Sequence, residues 1–297
     1  MSECEKITTC EFCRDFIECK IDHQKHNEWA IKNRMAKIGK KIVVMSNKGG
    51  VGKSTVTTNL GVGLAQMGYK VGIADVDIHG PNIPKMLGVE GSRLKDNENG
   101  IEPLSIGDNL KVVSLAFLIE KPDQPVAWRD TAKYDYLREL AGTINWGELD
   151  FLLADLPPGT GHEPITMIEL MGKVDGAVIV TTPQDVALLD AQKAILFAKD
   201  HKVPVIGIIE NMSVLTCPHC NEEIEVFKSG GGERIADKMG VPFLGRIPLD
   251  PAITNSCDEG RAFVTNENGN SNNVLIFKEI IEKAFLNEDS KVLNKSG

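Results

Sequence analysis

Ser46-Asn47-Lys48-Gly49-Gly50-Val51-Gly52-Lys53-Ser54-Thr55 stands directly after an apolar run and opens a helix-like stretch at 53–67. A polyphosphate carries dense negative charge, so its site needs inward-pointing backbone N–H groups and little side-chain bulk. Gly49, Gly50 and Gly52 give that close approach and the backbone angles it requires. The helix that follows adds its positive N-terminal end. Lys53 supplies a cation for the β- and γ-phosphates, and the Ser54 hydroxyl can enter a Mg²⁺ shell. The pattern G-x-x-x-x-G-K-[ST] fits from Gly52 onward, with Asn47 at its first glycine position. Gly61 and Gly63, inside the helix pattern, read as helix packing and not as a dinucleotide fingerprint.

Working outward, short apolar runs rich in Val, Ile and Leu occupy 41–46, 70–75, 111–116, 150–155, 175–181, 204–209 and 243–247. Helix-like segments fall at 53–67, 134–144, 163–171, 186–199 and 232–239. The alternation predicts an α/β fold with a doubly wound, mostly parallel sheet whose ligands sit beyond the carboxyl ends of the strands. A polar, cysteine-rich segment (1–40) precedes the expected ATPase domain at 41–286, and a polar tail predicted to be disordered follows at 287–297.

Composition sets the outer limits. The 297 residues carry 33 basic and 42 acidic side chains, a net charge of −9, with 42 % apolar and 25 % charged residues. That is a globular balance. The acidic excess argues against a nucleic-acid partner. No apolar run long enough to span a bilayer and no signal-peptide pattern is present, so the expectation is a cytoplasmic protein without a membrane partner. Seven cysteines in such a chain read as thiols, redox groups or metal ligands.

Phosphate binding alone does not hydrolyse ATP; a metal-orienting acid and a positioned water are also needed. Asp155 ends the run at 150–155 and suits the first role. Asp75 and Asp77 end the run at 70–75, and Asp77, further into the loop, is favoured for orienting the water. Strand-end aspartates also act as plain caps. Asn211 is read either as a contact to the adenine edge or as a turn residue.

Cys217 and Cys220 are spaced to bite one metal or one cluster edge, and two copies across a two-fold axis would complete a four-cysteine site. A zinc knuckle or reduced thiols would use the same spacing. Cys4, Cys10, Cys13 and Cys19 form a second set of four thiols, compatible with zinc or an iron–sulfur cluster. His23 and His26 beside them are expected to be solvated, and Cys257 to be a buried helix thiol.

Lys48 gives the loop the form K-G-G-V-G-K-[ST], which resembles the ATPase class of MinD, ParA and the nitrogenase iron protein. That resemblance implies a homodimer in which Lys48 reaches the partner's nucleotide. The ordered motifs SNKGGVGKST (46–55), DVDIHGPNIPKMLG (75–88), NWGELDFLLADLPPGTG (145–161), TTPQDVALLDAQKA (181–194), ENMSVLTCPHC (210–220), FKSGGGERIA (227–236) and GRIPLDPAI (245–253) resemble the Mrp/ApbC-type iron–sulfur cluster carrier ATPases. Membership would imply slow Mg²⁺-dependent ATP hydrolysis and a [4Fe–4S] cluster bridging Cys217 and Cys220 of two protomers for delivery to apoproteins. The spacing of Cys10, Cys13 and Cys19 is similar to the ferredoxin-like motif of the eukaryotic scaffold relatives, while the gap back to Cys4 is shorter than theirs. MinD/ParA-like positioning and nickel or zinc handling are the competing functions.

Overall fold

The computed structural model describes residues 9–10, 13, 20–97, 99–118, 130–217, 219–220, 222–265 and 272–286. Cys4, Cys19 and the tail 287–297 lie outside the described residues. The centre is an eight-stranded sheet in the order β12-β9-β8-β1-β7-β2-β6-β5. Its strands are β1 (Ile38–Met45), β2 (Val71–Asp75), β5 (Leu104–Ile106), β6 (Leu110–Ser114), β7 (Leu149–Asp155), β8 (Gly176–Thr181), β9 (Val205–Glu210) and β12 (Phe243–Arg246). All neighbours run parallel except the edge pair β5–β6. The seven expected strands are these, each within a few residues; the edge strand β5 is the addition. Two further ribbons, β3 (Lys95–Asn97) with β4 (Gly100–Glu102), and β10 (Leu215–Thr216) with β11 (Glu223–Ile224), stand apart from the sheet.

Alternation along the central strands splits the core into two layers. In β7, Leu152 and Ala154 face one apolar layer while Phe151 and Leu153 face the other. On the first face pack α1 (His23–Met35), α4 (Asp130–Gly142), α5 (His162–Met171), α6 (Asp185–Asp200) and α7 (Gly231–Met239); on the second lie α2 (Lys53–Gln66), the short α3 (Ile83–Met86), α8 (Pro251–Asp258) and α9 (Asn272–Ile281). Gly61 faces Ile73, where an added Cβ would come within 2.6 Å of its Cδ1, and Gly63 is equally crowded by Ile281. These two glycines let α2 approach β2 and α9, the packing role expected of them.

Helix α1 is absent from the sequence reading because its buried face is polar as often as apolar: His26, Asn27, Ala30, Ile31, Arg34 and Met35. It packs on α4, and β1 begins at Ile38, so the boundary expected near residue 40 falls inside a strand. Thr9 and Cys10 dock here. Thr9 Oγ1 meets Thr143 Oγ1 at 2.9 Å, and the Cys10 backbone N–H donates to Asn27 Oδ1 at 2.6 Å. His26 is buried with its ring beside Trp29, which corrects the expectation that it is solvated. Cys257 is buried on α8 as expected, and burial pushes its thiol up from the ordinary value.

Candidate functional site

The phosphate loop leaves β1 at the sheet's interior and enters α2 through Gly52. Gly50 and Gly52 have φ of 79° and 82°, left-handed values that glycine adopts freely. A Cβ on Gly52 would also collide with the Asn211 amide. Asn211 is close because its Nδ2 donates to Val51 O at 2.9 Å. The structure therefore gives Asn211 a grip on the loop backbone.

Strand β7 lies between β1 and β2, although the chain leaves β2 at Asp75 and enters β7 only at Leu149. This insertion assembles the acidic cluster. Asp155 is register partner to Val44 on one side and to Asp75 on the other. Lys53 Nζ reaches Asp155 Oδ2 at 2.7 Å, with Asp77 Oδ2 at 3.8 Å. Ser54 Oγ donates to the same Asp155 oxygen at 2.6 Å, and Thr57 Oγ1 donates to Asp155 Oδ1 at 2.6 Å. Three donors on a fully buried carboxyl group satisfy both oxygens and fix its orientation. Thr57 is missing from the sequence reading, yet its place one helical turn after Lys53 is the signal that could have found it.

Asp75 accepts from Ser114 Oγ at 2.9 Å. Burial, and then the charge of Asp155, push its carboxyl up to about 8. Burial also raises Asp77, while the Lys53 ammonium opposes that rise. Asp77 Oδ1 receives the Gly80 N–H at 3.3 Å, which holds it at the start of its loop.

The outer side of the loop faces α6. Asn47 Nδ2 donates to Asp190 Oδ1 at 3.0 Å, and this bond is the first cause of the lowered Asp190 carboxyl. Lys48 is exposed beside it, with its carbonyl fixed by Ser46 Oγ at 3.1 Å. Val186 and Leu189 of the same helix are 64 % and 61 % exposed.

Cys217 and Cys220 sit on the ribbon β10–β11, which is rooted next to Asn211. Backbone N–H groups of His219 and Cys220 lower the Cys217 thiol below its ordinary value, and the Cys220 thiol adds to the effect. That favours the thiolate, the form that ligates metal. At the other end of the chain Cys10 is buried and Cys13 partly so; the rest of that expected set, Cys4 and Cys19, is outside the described residues. Among the described residues no group of three or more His, Cys, Asp or Glu forms a metal site, so a single chain offers the ribbon thiols as a pair.

Set beside known proteins, residues 37–285 match the family described as NUBPL iron-transfer P-loop NTPase, within ParA. An iron-sulfur cluster carrier protein of Methanocaldococcus jannaschii is 45 % identical over 287 residues, covering 95 % of this chain and 98 % of that protein. One from Saccharolobus solfataricus is 44 % identical over 233 residues, 78 % of this chain and 79 % of its own. Among solved structures, a nucleotide-binding protein of Archaeoglobus fulgidus in complex with ADP superposes with a TM-score of 0.70 at 41 % identity, covering 80 % and 92 % of the two chains. The cell division ATPase MinD of Pyrococcus furiosus follows the same fold, with a TM-score of 0.62 at 26 % identity over 82 % and 98 %. With a family model matched over 37–285 and relatives 44–45 % identical across most of its length, the chain belongs to the NUBPL-type iron-transfer P-loop NTPases.

Proposed function

We propose that this protein is an ATP-hydrolysing carrier that receives iron–sulfur clusters on Cys217 and Cys220 and passes them to apoproteins. The observation that carries the reading is a C-x-x-C pair, with the Cys217 thiol lowered, rooted beside a P-loop in a chain of the iron-transfer family. The cluster is cargo. One pair supplies two of four thiolates, so a homodimer that joins two pairs is the simplest completion, with a [4Fe–4S] cluster bridging the protomers. The exposed Val186 and Leu189, on the helix that holds Asn47 beside Lys48, support a second copy meeting this face. Lys48 then reaches the partner's nucleotide.

For hydrolysis, the N–H groups of 49–53 cradle the phosphates, and Lys53 neutralises charge that develops on them. Ser54, and Asp155 through water, are the residues that would hold Mg²⁺, which when bound neutralises the β- and γ-phosphate oxygens. The donor set fits a hard cation, since a hydroxyl and an oriented carboxylate share one point. Asp77 accepts a hydrogen bond from the attacking water, and Asn211 keeps the loop shaped for the nucleotide. Cys10 and Cys13, with Cys4 and Cys19, are proposed as a second cluster site. The cytoplasm, where thiols stay reduced, is the compartment that suits such ligands.

Anaerobic purification followed by iron, sulfide, nickel and zinc analysis tests the reading. Iron and sulfide in near-equal amounts support it. Stoichiometric nickel or zinc without sulfide would replace cluster transfer by metal-ion handling.

A further inference from the structure

The excursion 211–230 that carries Cys217 and Cys220 leaves β9 and returns to α7, and both of its ends meet at one side chain. Glu210 is fully buried at the end of β9. Its Oε1 accepts from Ser213 Oγ at 2.6 Å on the outgoing root and from the Gly230 N–H at 3.1 Å on the returning one. Its Oε2 accepts from the Gly232 N–H at 2.5 Å, and Arg246 Nε faces Oε1 at 3.6 Å. Charge-assisted bonds of this kind are short and strong, and a desolvated carboxylate loses much when one is broken.

Next to each root lies a residue in the left-handed region that L side chains disfavour: Met212 at φ 54° and Lys228 at φ 73°. Among the described residues the other non-glycine case is Lys202, before the opposite end of β9. Strained positions of this kind persist when their surroundings enforce them, and they gather at switch elements. The outgoing root also touches the phosphate loop. Asn211 holds Val51 O, and Met212 Cε lies 3.6 Å from the place a Gly52 Cβ would occupy. From Asn211 the chain runs through Met212 and the clamped Ser213 into β10 and Cys217, with no glycine in between to absorb a displacement.

We infer that Glu210 is a positioning residue that couples the phosphate loop to the cysteine ribbon, so that nucleotide at the loop changes the exposure of Cys217 and Cys220. A shift of Val51 and Gly52 around bound phosphates moves Asn211, pivots the chain at Met212 and carries the ribbon with it. Without the clamp, the roots relax independently and the ribbon no longer registers the nucleotide. The inference takes from the proposed function only that these two thiols are the working end of the ribbon.

The test alkylates the full-length apo protein with N-ethylmaleimide under anaerobic, reducing conditions. Rates at Cys217 and Cys220 are read by peptide mass spectrometry with and without Mg²⁺-ADP or a non-hydrolysable ATP analogue. Wild-type rates should change about fivefold with nucleotide, the lower end of ordinary coupling between sites. Glu210→Gln keeps the shape but has one acceptor oxygen for three donors, so the change should vanish while nucleotide affinity and the rate at buried Cys257 stay as they were. Ser213→Ala, a milder cut of the outgoing root, should lose part of the response. Nucleotide-independent rates in the wild type would overturn the inference, and so would an undiminished response in both variants. A parallel rise at Cys257 in both variants would show general loosening and overturn it as well. Iron and sulfide content in the holoprotein is a separate readout, so failure of the carrier reading is distinguishable from failure of this one.

Discussion

Asp75 and Asp155 are register partners at the carboxyl ends of adjacent parallel strands, two buried carboxyl groups side by side with one lysine, Lys53, bonded to the second of them. Asp155 takes the lysine and two hydroxyls, while Asp75 takes the burden of burial and is pushed up to about 8. Environment thus divides two identical side chains into one held by three donors and one that keeps its proton at neutral pH.

The sign of the pH dependence follows. A carboxyl whose folded value lies above its unfolded value of 3.8 binds more protons folded than unfolded between those two values. Its contribution to stability therefore falls as pH rises from about 4 through about 8. Asp75→Asn should melt close to wild type at pH 4 and progressively above it towards pH 8. Thermal unfolding across that range measures it; a constant offset between the two proteins would reject the neutral assignment of Asp75.

Lys53→Ala should abolish ATP hydrolysis, because it removes the cation for the transferred phosphoryl group. It also leaves Asp155 buried without its partner, which costs about 3–5 kcal/mol. Lys53→Ala combined with Asp155→Asn should recover most of the stability and none of the turnover. Thr57→Val removes a different donor from Asp155, worth about 1–3 kcal/mol, and should slow hydrolysis by about tenfold. Steady-state phosphate release and chemical denaturation, run on all three, separate the two effects; unchanged turnover in Lys53→Ala would contradict the site.

Gly52→Ala fails for two reasons that can be told apart. The positive φ of 82° strains any L residue by about 1 kcal/mol, and the new Cβ runs into the Asn211 amide. Pairing it with Asn211→Ala relieves the collision and leaves the strain. Nucleotide affinity by calorimetry should be lost in Gly52→Ala and partly regained in the double variant, while equal loss in both would remove Asn211 from the account.

Cys217→Ala should remove about one cluster per dimer and leave an amino-terminal cluster intact, since a shared four-thiolate site fails when either chain withholds a ligand. Cys13→Ser should do the converse. Iron analysis and electron paramagnetic resonance of the reduced proteins distinguish the two sites. A strictly monomeric Cys217→Ala protein that retains all its iron would contradict the bridging model.

Much of this molecule was legible in the order of its residues because its chemistry is local. Gly49 to Thr55 must lie on consecutive backbone to wrap a phosphate, so spacing alone identified the loop, its lysine and its hydroxyl. The seven core strands were legible because burial on both faces demands near-continuous Val, Ile and Leu. The C-x-x-C spacing was legible as a proposed ligand pair because two thiolates that share one metal need that separation. Helix α1 was not, since a helix that buries His26, Asn27 and Arg34 shows no apolar stripe.

What only the tertiary structure decided is adjacency across the sheet. The sequence places Asp155 at the end of an apolar run but cannot say that β7 slides between β1 and β2, because pairing of parallel strands leaves no mark in either strand's own pattern. That insertion is what sets Asp155 against Lys53, raises Asp75 and gives Thr57 its partner. In the same way Glu210 reads as one more strand-end acid until the fold brings Ser213, Gly230 and Gly232 around it. Short-range geometry is written in spacing; a hydrogen bond between distant segments exists only once packing has put both ends in one place.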